Sequence, residues 1–454
     1  MKDQFSQGGR DIKDIWRRIK NRDFSGNTGL VVKNSLYQFS TGLVAKIGAL
    51  IFTVVIARLL LPELFGLYSL ALSTILLFVS ISDLGINQSI IRFISKSSSD
   101  KRKEKAAAYA YYLSKIKIIF TFLVAFALTI LAKFISQNYY QKPIFYALIA
   151  GALYVILAGI SSIFQSFFHA INNFKVPFFK EIFLQVSRLF LIPLFILISL
   201  ANFSYEVVSL IMILSLSALF LLTIVFLFFF VRRLDFLNQT PKRLSKKEKK
   251  RVNKFTFEML LLGVAGLIIG YIDIIFLGRF VDPEYIGIYQ AALNFAISSI
   301  PLINFSTVLF PLFSKISGDR LEKGFNRSSK ITLLVSAFVF TATFLLSPLI
   351  IKIVYGSAYI EAITLLRILA LLSVFLPMSS LFSSYIIAKG YPKLVTNSLI
   401  ITAGIYFIIS YFLITYLLKF GQRYAIIGAC IALVMSNFFY MIVLLFKARS
   451  LKKA

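Results

Sequence analysis

Long apolar runs decide what this chain can become. From residue 36 to 446 the sequence breaks into about twelve stretches of roughly 20–25 mostly apolar residues, each long enough at 1.5 Å per residue to cross a hydrocarbon core about 30 Å thick. A backbone inside lipid must satisfy its own hydrogen bonds, so runs of this length read as helices. With 58% of residues hydrophobic and 15% charged, the chain is expected to be an all-α, multi-pass integral membrane protein with about twelve transmembrane helices.

An internal repeat then sets the arrangement of those helices. "ARLLLPELFGLYSLAL" (57–72) recurs without gaps as "GRFVDPEYIGIYQAAL" (278–293), matching Arg58 with Arg279, Pro62 with Pro283, Glu63 with Glu284, Gly66 with Gly287 and Tyr68 with Tyr289. A second echo pairs "SIFQSFFHAINNFK" (162–175) with "SLFSSYIIAKGYPK" (380–393). Six spans separate the two copies, so both have the same orientation. Two six-helix lobes should be related by a pseudo-twofold axis along the membrane normal, with a central site between them. The expected division is a segment at 1–35, an N-lobe at 36–231, a basic linker at 232–254, a C-lobe at 255–446 and a tail at 447–454.

The net charge of +30 would point to nucleic acid in a soluble protein, but here it marks orientation. Of the 49 Lys and Arg residues, 37 fall in segments on one side of the expected spans and seven on the other. By the positive-inside rule, both termini and the linker are cytoplasmic and the span count is even. The Lys-rich linker reads as a topology signal and a contact for anionic lipid, not as a nucleic-acid site. Ile12, Ile15, Trp16 and Ile19 recur at helical spacing among charged residues, which predicts an interfacial helix over 11–24. The N-terminus is polar for about 35 residues and carries no signal-peptide pattern.

Enzyme chemistry is poorly provided for. A lone cysteine, Cys430, and a lone histidine, His169, leave no basis for a disulfide, a Cys-rich metal site or a paired-histidine site. No Gly-rich phosphate loop or nucleophile elbow is present. The external loops are each expected to be about twelve residues or shorter, too small for a working surface.

Intramembrane charge is what remains. An ionisable side chain at mid-membrane costs roughly 2.5–3.5 kcal/mol even on the mild insertion scale, so it normally faces a partner or a wet cavity. Lys46 lies deepest, near the middle of span 1, on a stripe with Gln38, Gly42, Ala49 and Thr53. Arg188 shares a face of span 5 with Glu181 and Gln185, and Arg367 lies about one turn inside span 10. Lys46 either serves a cavity or pairs with Asp273 or Glu258. The second copy of the repeat has Leu267 where the first has Lys46, so the positive charge belongs to one lobe. Span 8 aligns Gln290, Asn294 and Ser298 on one face. The carboxylates of span 7, Glu258 and Asp273, are candidates for H⁺ or Na⁺ coupling. Gly263, Gly266 and Gly270 predict close helix approach.

The turns "LLLPELFGLYSLA", "SDLGI", "YIDIIFLGRFVDPEYIGIYQAA" and "IIKIVYGSAYIEAITLLRILAL" resemble the polysaccharide exporter family of the multidrug/oligosaccharidyl-lipid/polysaccharide (MOP) superfamily over nearly the whole chain. The resemblance implies a flippase of the cytoplasmic (inner) membrane that needs no cofactor. Its substrate would be undecaprenyl-diphosphate-linked oligosaccharide repeat units of the O-antigen, capsule or exopolysaccharide type. A glycan polymerase or assembly complex would be its partner. Basic residues in the central cavity would hold the anionic substrate, which suits Lys46, Arg188 and Arg367, with Gln290, Asn294 and Ser298 contacting sugars. Multidrug extruders of the same superfamily should line the cavity with carboxylates, and lipid II flippases usually carry two extra spans. Major facilitators share the two-times-six plan, but the Gly-x-x-x-Asp-Arg-x-Gly type loop expected after span 2 is missing here. A non-transporting membrane scaffold for glycan assembly is the alternative from a different class.

Overall fold

The computed structural model describes residues 26–99, 102–200, 203–300 and 319–453, and everything described is helical or a short connection. Helix α1 (Gly26–Asp83) is two arms joined at a break, where Leu61 takes φ 58° and ψ 173° directly before Pro62. Proline has no N–H to continue the ladder and its ring crowds the preceding turn, so the chain folds back there. A short amphipathic helix, α2 (Ile86–Ser99), follows; its buried residues Ile86, Ile90, Phe93 and Ile94 recur at helical spacing. Helices α3 (Lys103–Lys133), α4 (Phe145–Ala170), α5 (Lys175–Leu200) and α6 (Tyr205–Val231) pack with α1 into one lobe.

The second lobe holds α7 (Lys246–Phe280), α8 (Pro283–Ser299), α9 (Asp319–Val354), α10 (Ala362–Leu369), α11 (Leu372–Ala388), α12 (Pro392–Leu418) and α13 (Gln422–Lys453). Helix α7 begins inside the stretch expected as linker. Ser245 caps it, accepting the Glu248 N–H, while the Glu248 carboxylate accepts the Ser245 N–H in return. Glu248 is also tied to α3 through Lys105 at 2.7 Å.

Among the described residues, ten stretches are long and apolar enough to cross a membrane, and the first of them contains both arms of α1. About ten to eleven long apolar helices are therefore in view. The expected span 8 begins with α8 and runs on into residues 301–318, outside the described part. The interfacial segment expected over 11–24 also lies outside it.

The two copies of the repeat meet face to face, as same-orientation halves require. A Cβ on Gly66 would lie 1.8 Å from the Pro283 carbonyl oxygen, and a Cβ on Gly287 would lie 2.0 Å from that of Pro62. Only hydrogen fits at either position. Around this centre the polar contacts are reciprocal as well. Arg58 donates to the Val354 carbonyl at 2.8 Å and to that of Ile353, the last carbonyls of α9. Its repeat partner Arg279 donates to the Tyr139 and Asn138 carbonyls at 2.7 and 3.2 Å, in the π-turn Phe134–Tyr140 that ends α3. The carbonyl of Ala57 accepts from Tyr359, and that of the matching Gly278 accepts from Lys142, each at 2.8 Å. Helix C-termini leave carbonyls without intrahelical donors, and cations are favoured there. Each lobe thus supplies an arginine to cap a helix of the other, and this turn face is sealed.

Candidate functional site

Below the seal the lobes part around a cavity of about 730 Å³, within the range of small-molecule sites. Its walls come from both lobes: Lys46, Ser73, Ser80 and Asp83 of α1, Lys117 of α3, Gly159 and Ser162 of α4, Gly263 to Asp273 along one face of α7, and Gln290 and Asn294 of α8. Lys46 and Leu267, equivalent positions of the repeat, both line it. The lysine side chain is open to the cavity and makes no ion pair or hydrogen bond among the described residues. The pairing with Asp273 or Glu258 weighed from the sequence is therefore not formed.

Asp273 is almost wholly buried at the cavity wall and accepts a hydrogen bond from Tyr289, with the Tyr406 hydroxyl close by. Glu258 lies on the exposed side of α7, outside the cavity lining. Gln290 and Asn294 stand one turn apart and are linked by a 3.4 Å amide hydrogen bond, both on the wall. Ser298, a turn further on, is not part of the lining.

The two arginines go elsewhere. Arg188 stays inside the first lobe, with its guanidinium 3.8 Å from the centre of the Phe52 ring and near the hydroxyls of Tyr68 and Tyr154. Glu181, two turns away on the same helix, accepts from Gln185 at 2.7 Å and sits 3.4 Å from Lys180. Arg367 donates to Ser347 at 3.0 Å and lies 5.5 Å from the Phe344 ring, in the α9–α10 contact away from the cavity. Spacing puts a residue on a helix face but does not say what that face meets.

The glycine reading also changes. A Cβ on Gly266 or Gly270 would meet nothing within 4 Å, and one on Gly263 would touch only Leu84 at 3.5 Å. These residues keep the cavity wide and do not bring helices together. A leucine at Gly270 should accordingly fill the cavity, removing most transport while leaving the melting temperature within a degree or two of wild type. A large drop in stability would show that the position is packed after all.

Sequence reading passed over Lys117 and Asp83. Lys117 lies fourteen residues into α3. Their ion pair, 2.9 Å long, stands on the cavity wall.

Comparison with known proteins bears on what this cavity serves. A family model described as "Polysaccharide biosynthesis protein" matches residues 31–317. The uncharacterized membrane protein MJ1068 of Methanocaldococcus jannaschii is 24% identical over 391 residues, 82% of this chain and 75% of the relative. Among solved structures, a multidrug resistance MATE family transporter of the MOP superfamily, in its inward-facing conformation, superposes with a TM-score of 0.67. It is 15% identical, and the match covers 93% of this chain and 96% of that one. The lipid II flippase MurJ in an inward closed conformation gives the same TM-score at 18% identity, over 91% and 87% of the two chains. At such identities the likeness is one of fold.

Proposed function

Because the chain belongs to the polysaccharide biosynthesis protein family, membrane transporters of the MOP superfamily rather than enzymes, we propose that it flips undecaprenyl-diphosphate-linked oligosaccharide repeat units of the O-antigen, capsule or exopolysaccharide type. Transport runs by alternating access across the cytoplasmic membrane. The observation that carries this reading is a lysine, without a partner among the described residues, on the wall of an inter-lobe cavity, where an anionic head group is the complementary ligand. In this reading twelve spans divide at 36–231 and 255–446, the basic linker and both termini are cytoplasmic, and the sealed turn face is external. Lys46 holds the diphosphate while Gln290 and Asn294 meet the sugars. Arg188 and Arg367 support their lobes from outside the cavity.

The test is reconstitution. Vesicles containing the protein should accelerate transfer of a labelled undecaprenyl-diphosphate oligosaccharide between leaflets. No acceleration for any such substrate, together with gradient-driven efflux of lipophilic cations, would replace this reading with multidrug extrusion.

Asp273 is the better of the two coupling candidates, since it stands on the cavity wall and Glu258 does not. Asp273→Asn is expected to abolish the dependence of flipping on an H⁺ or Na⁺ gradient, and Glu258→Gln to leave it intact. Gradient dependence that survives Asp273→Asn would remove the carboxylate from coupling and leave it as a hydrogen-bond partner of Tyr289.

A further inference from the structure

The Lys117–Asp83 pair has features that a purely structural ion pair does not require. Lys117 is 1% exposed although it belongs to the cavity wall, whereas Asp83 is 35% exposed on the same wall. The carboxylate therefore lies between the ammonium and the open space. Asp83 Oδ1 accepts both the Lys117 ammonium at 2.9 Å and the Asn87 N–H at 3.1 Å. The carboxylate thus also caps α2, just past Leu84 (φ 30°) and Gly85 (φ 87°), where the chain turns from α1 into α2. Asn87 and Ser162 line the cavity beside it. Counting helix rise along α1 from the turn at Leu61, Lys46 lies about 22 Å below the sealed face and Asp83 about 33 Å. The pair thus stands nearer the cytoplasmic mouth than Lys46 does.

Burying an ion pair gains little over an apolar pair of similar volume, because desolvation offsets most of the attraction. A reserve charge is a different matter. A diphosphate brings more negative charge than one carboxylate, and Asp83, already part-solvated, can turn to water while Lys117 cannot leave the helix bundle.

Resting on the flippase reading, we propose that Lys117, covered by Asp83 in the empty protein, is a second anion site of the cavity. It takes the diphosphate near the cytoplasmic mouth before Lys46 takes it further in. Asp83 is the competitor that the substrate displaces, which makes the site selective for ligands more anionic than a single carboxylate.

The two accounts of the pair differ in the sign of one effect. Farnesyl diphosphate is the probe, with binding measured calorimetrically on the full chain in nanodiscs. Asp83→Asn removes the competing charge and keeps a side chain that caps helices well. It is expected to tighten farnesyl diphosphate binding roughly ten-fold, near the low end of what is measured for close charge pairs. Lys117→Gln is expected to weaken binding by a similar factor, and Lys117→Arg to restore most of it. Asp83→Asn should have no such effect in the Lys117→Gln background. Unchanged or weaker binding by a stably folded Asp83→Asn protein would overturn the proposal, as would tightening that persists without Lys117. If wild type and Lys46→Ala respond as a diphosphate site requires but Asp83→Asn does not tighten binding, the second site alone is wrong. If wild type binds no farnesyl diphosphate, the flippase reading falls with it.

Discussion

An alanine at Gly66 is expected to open the turn face of the protein. Its Cβ would lie 1.8 Å from the Pro283 carbonyl oxygen and 2.7 Å from the carbonyl carbon, and no rotamer change relieves a clash with backbone. Overpacking costs about 1–3 kcal/mol when side chains can adjust, and here they cannot. The lobes must separate, which favours whichever conformer keeps these turns apart. Gly287→Ala acts through the equivalent contact with Pro62 and should have the same effect, since the two close contacts are reciprocal.

The readout is a cysteine at Leu293, on the cavity wall, in a chain whose own Cys430 is buried. A membrane-impermeant maleimide added from the turn face should label it slowly in wild type and much faster in either alanine variant, and net flipping should collapse. Breaking the arginine caps should do less. A cation at a helix C-terminus contributes about 0.3–1 kcal/mol, so Arg58→Ala or Arg279→Ala should raise labelling only a few-fold, and the two together more than either alone. Wild-type labelling in a folded Gly66→Ala protein would mean that this contact does not hold the face closed.

The glycines themselves were legible in the sequence as matched letters of a repeat, and so was the meeting of the two copies at one end of the molecule. The reason they are glycines was not, because a carbonyl more than 200 residues away along the chain leaves no local trace. Other parts of the site divide along the same line. Lys46 could be picked out because a lysine deep in an apolar run is costly wherever it faces. Arg188 and Arg367 carried the same signal but pack on Phe52 and Phe344, and nothing in their own helices distinguishes a lobe interior from a cavity. Periodicity is weak evidence here, since lipid and protein interior are both apolar and a helix such as α6 is apolar almost all round. Lys117 shows the converse: a lysine near the start of an apolar run carries little signal in the sequence, whereas α3 begins early enough to bury it.

Lys46 is the residue on which the anionic-substrate reading stands or falls. An ammonium with no partner among the described residues attracts a diphosphate in a cavity walled by apolar helices more strongly than it would in bulk water. Lys46→Arg keeps the charge but changes its geometry, so much of the activity should remain. Lys46→Ala should reduce flipping by about thirty-fold or more, corresponding to some 2 kcal/mol at the low end for a buried charge contact. Lys46→Glu should abolish flipping, with insertion and melting temperature preserved in every variant. The repeat supplies a stricter test. Leu267 is the equivalent position in the other lobe and lines the same cavity, so Leu267→Lys in the Lys46→Ala background returns one positive charge from the opposite wall. If charge in the cavity is what the substrate reads, this double variant should recover part of the lost flipping, although its sugars would meet a different set of side chains. Wild-type flipping by a stable Lys46→Ala protein would show that the substrate does not read this charge and remove the main support for an anionic substrate.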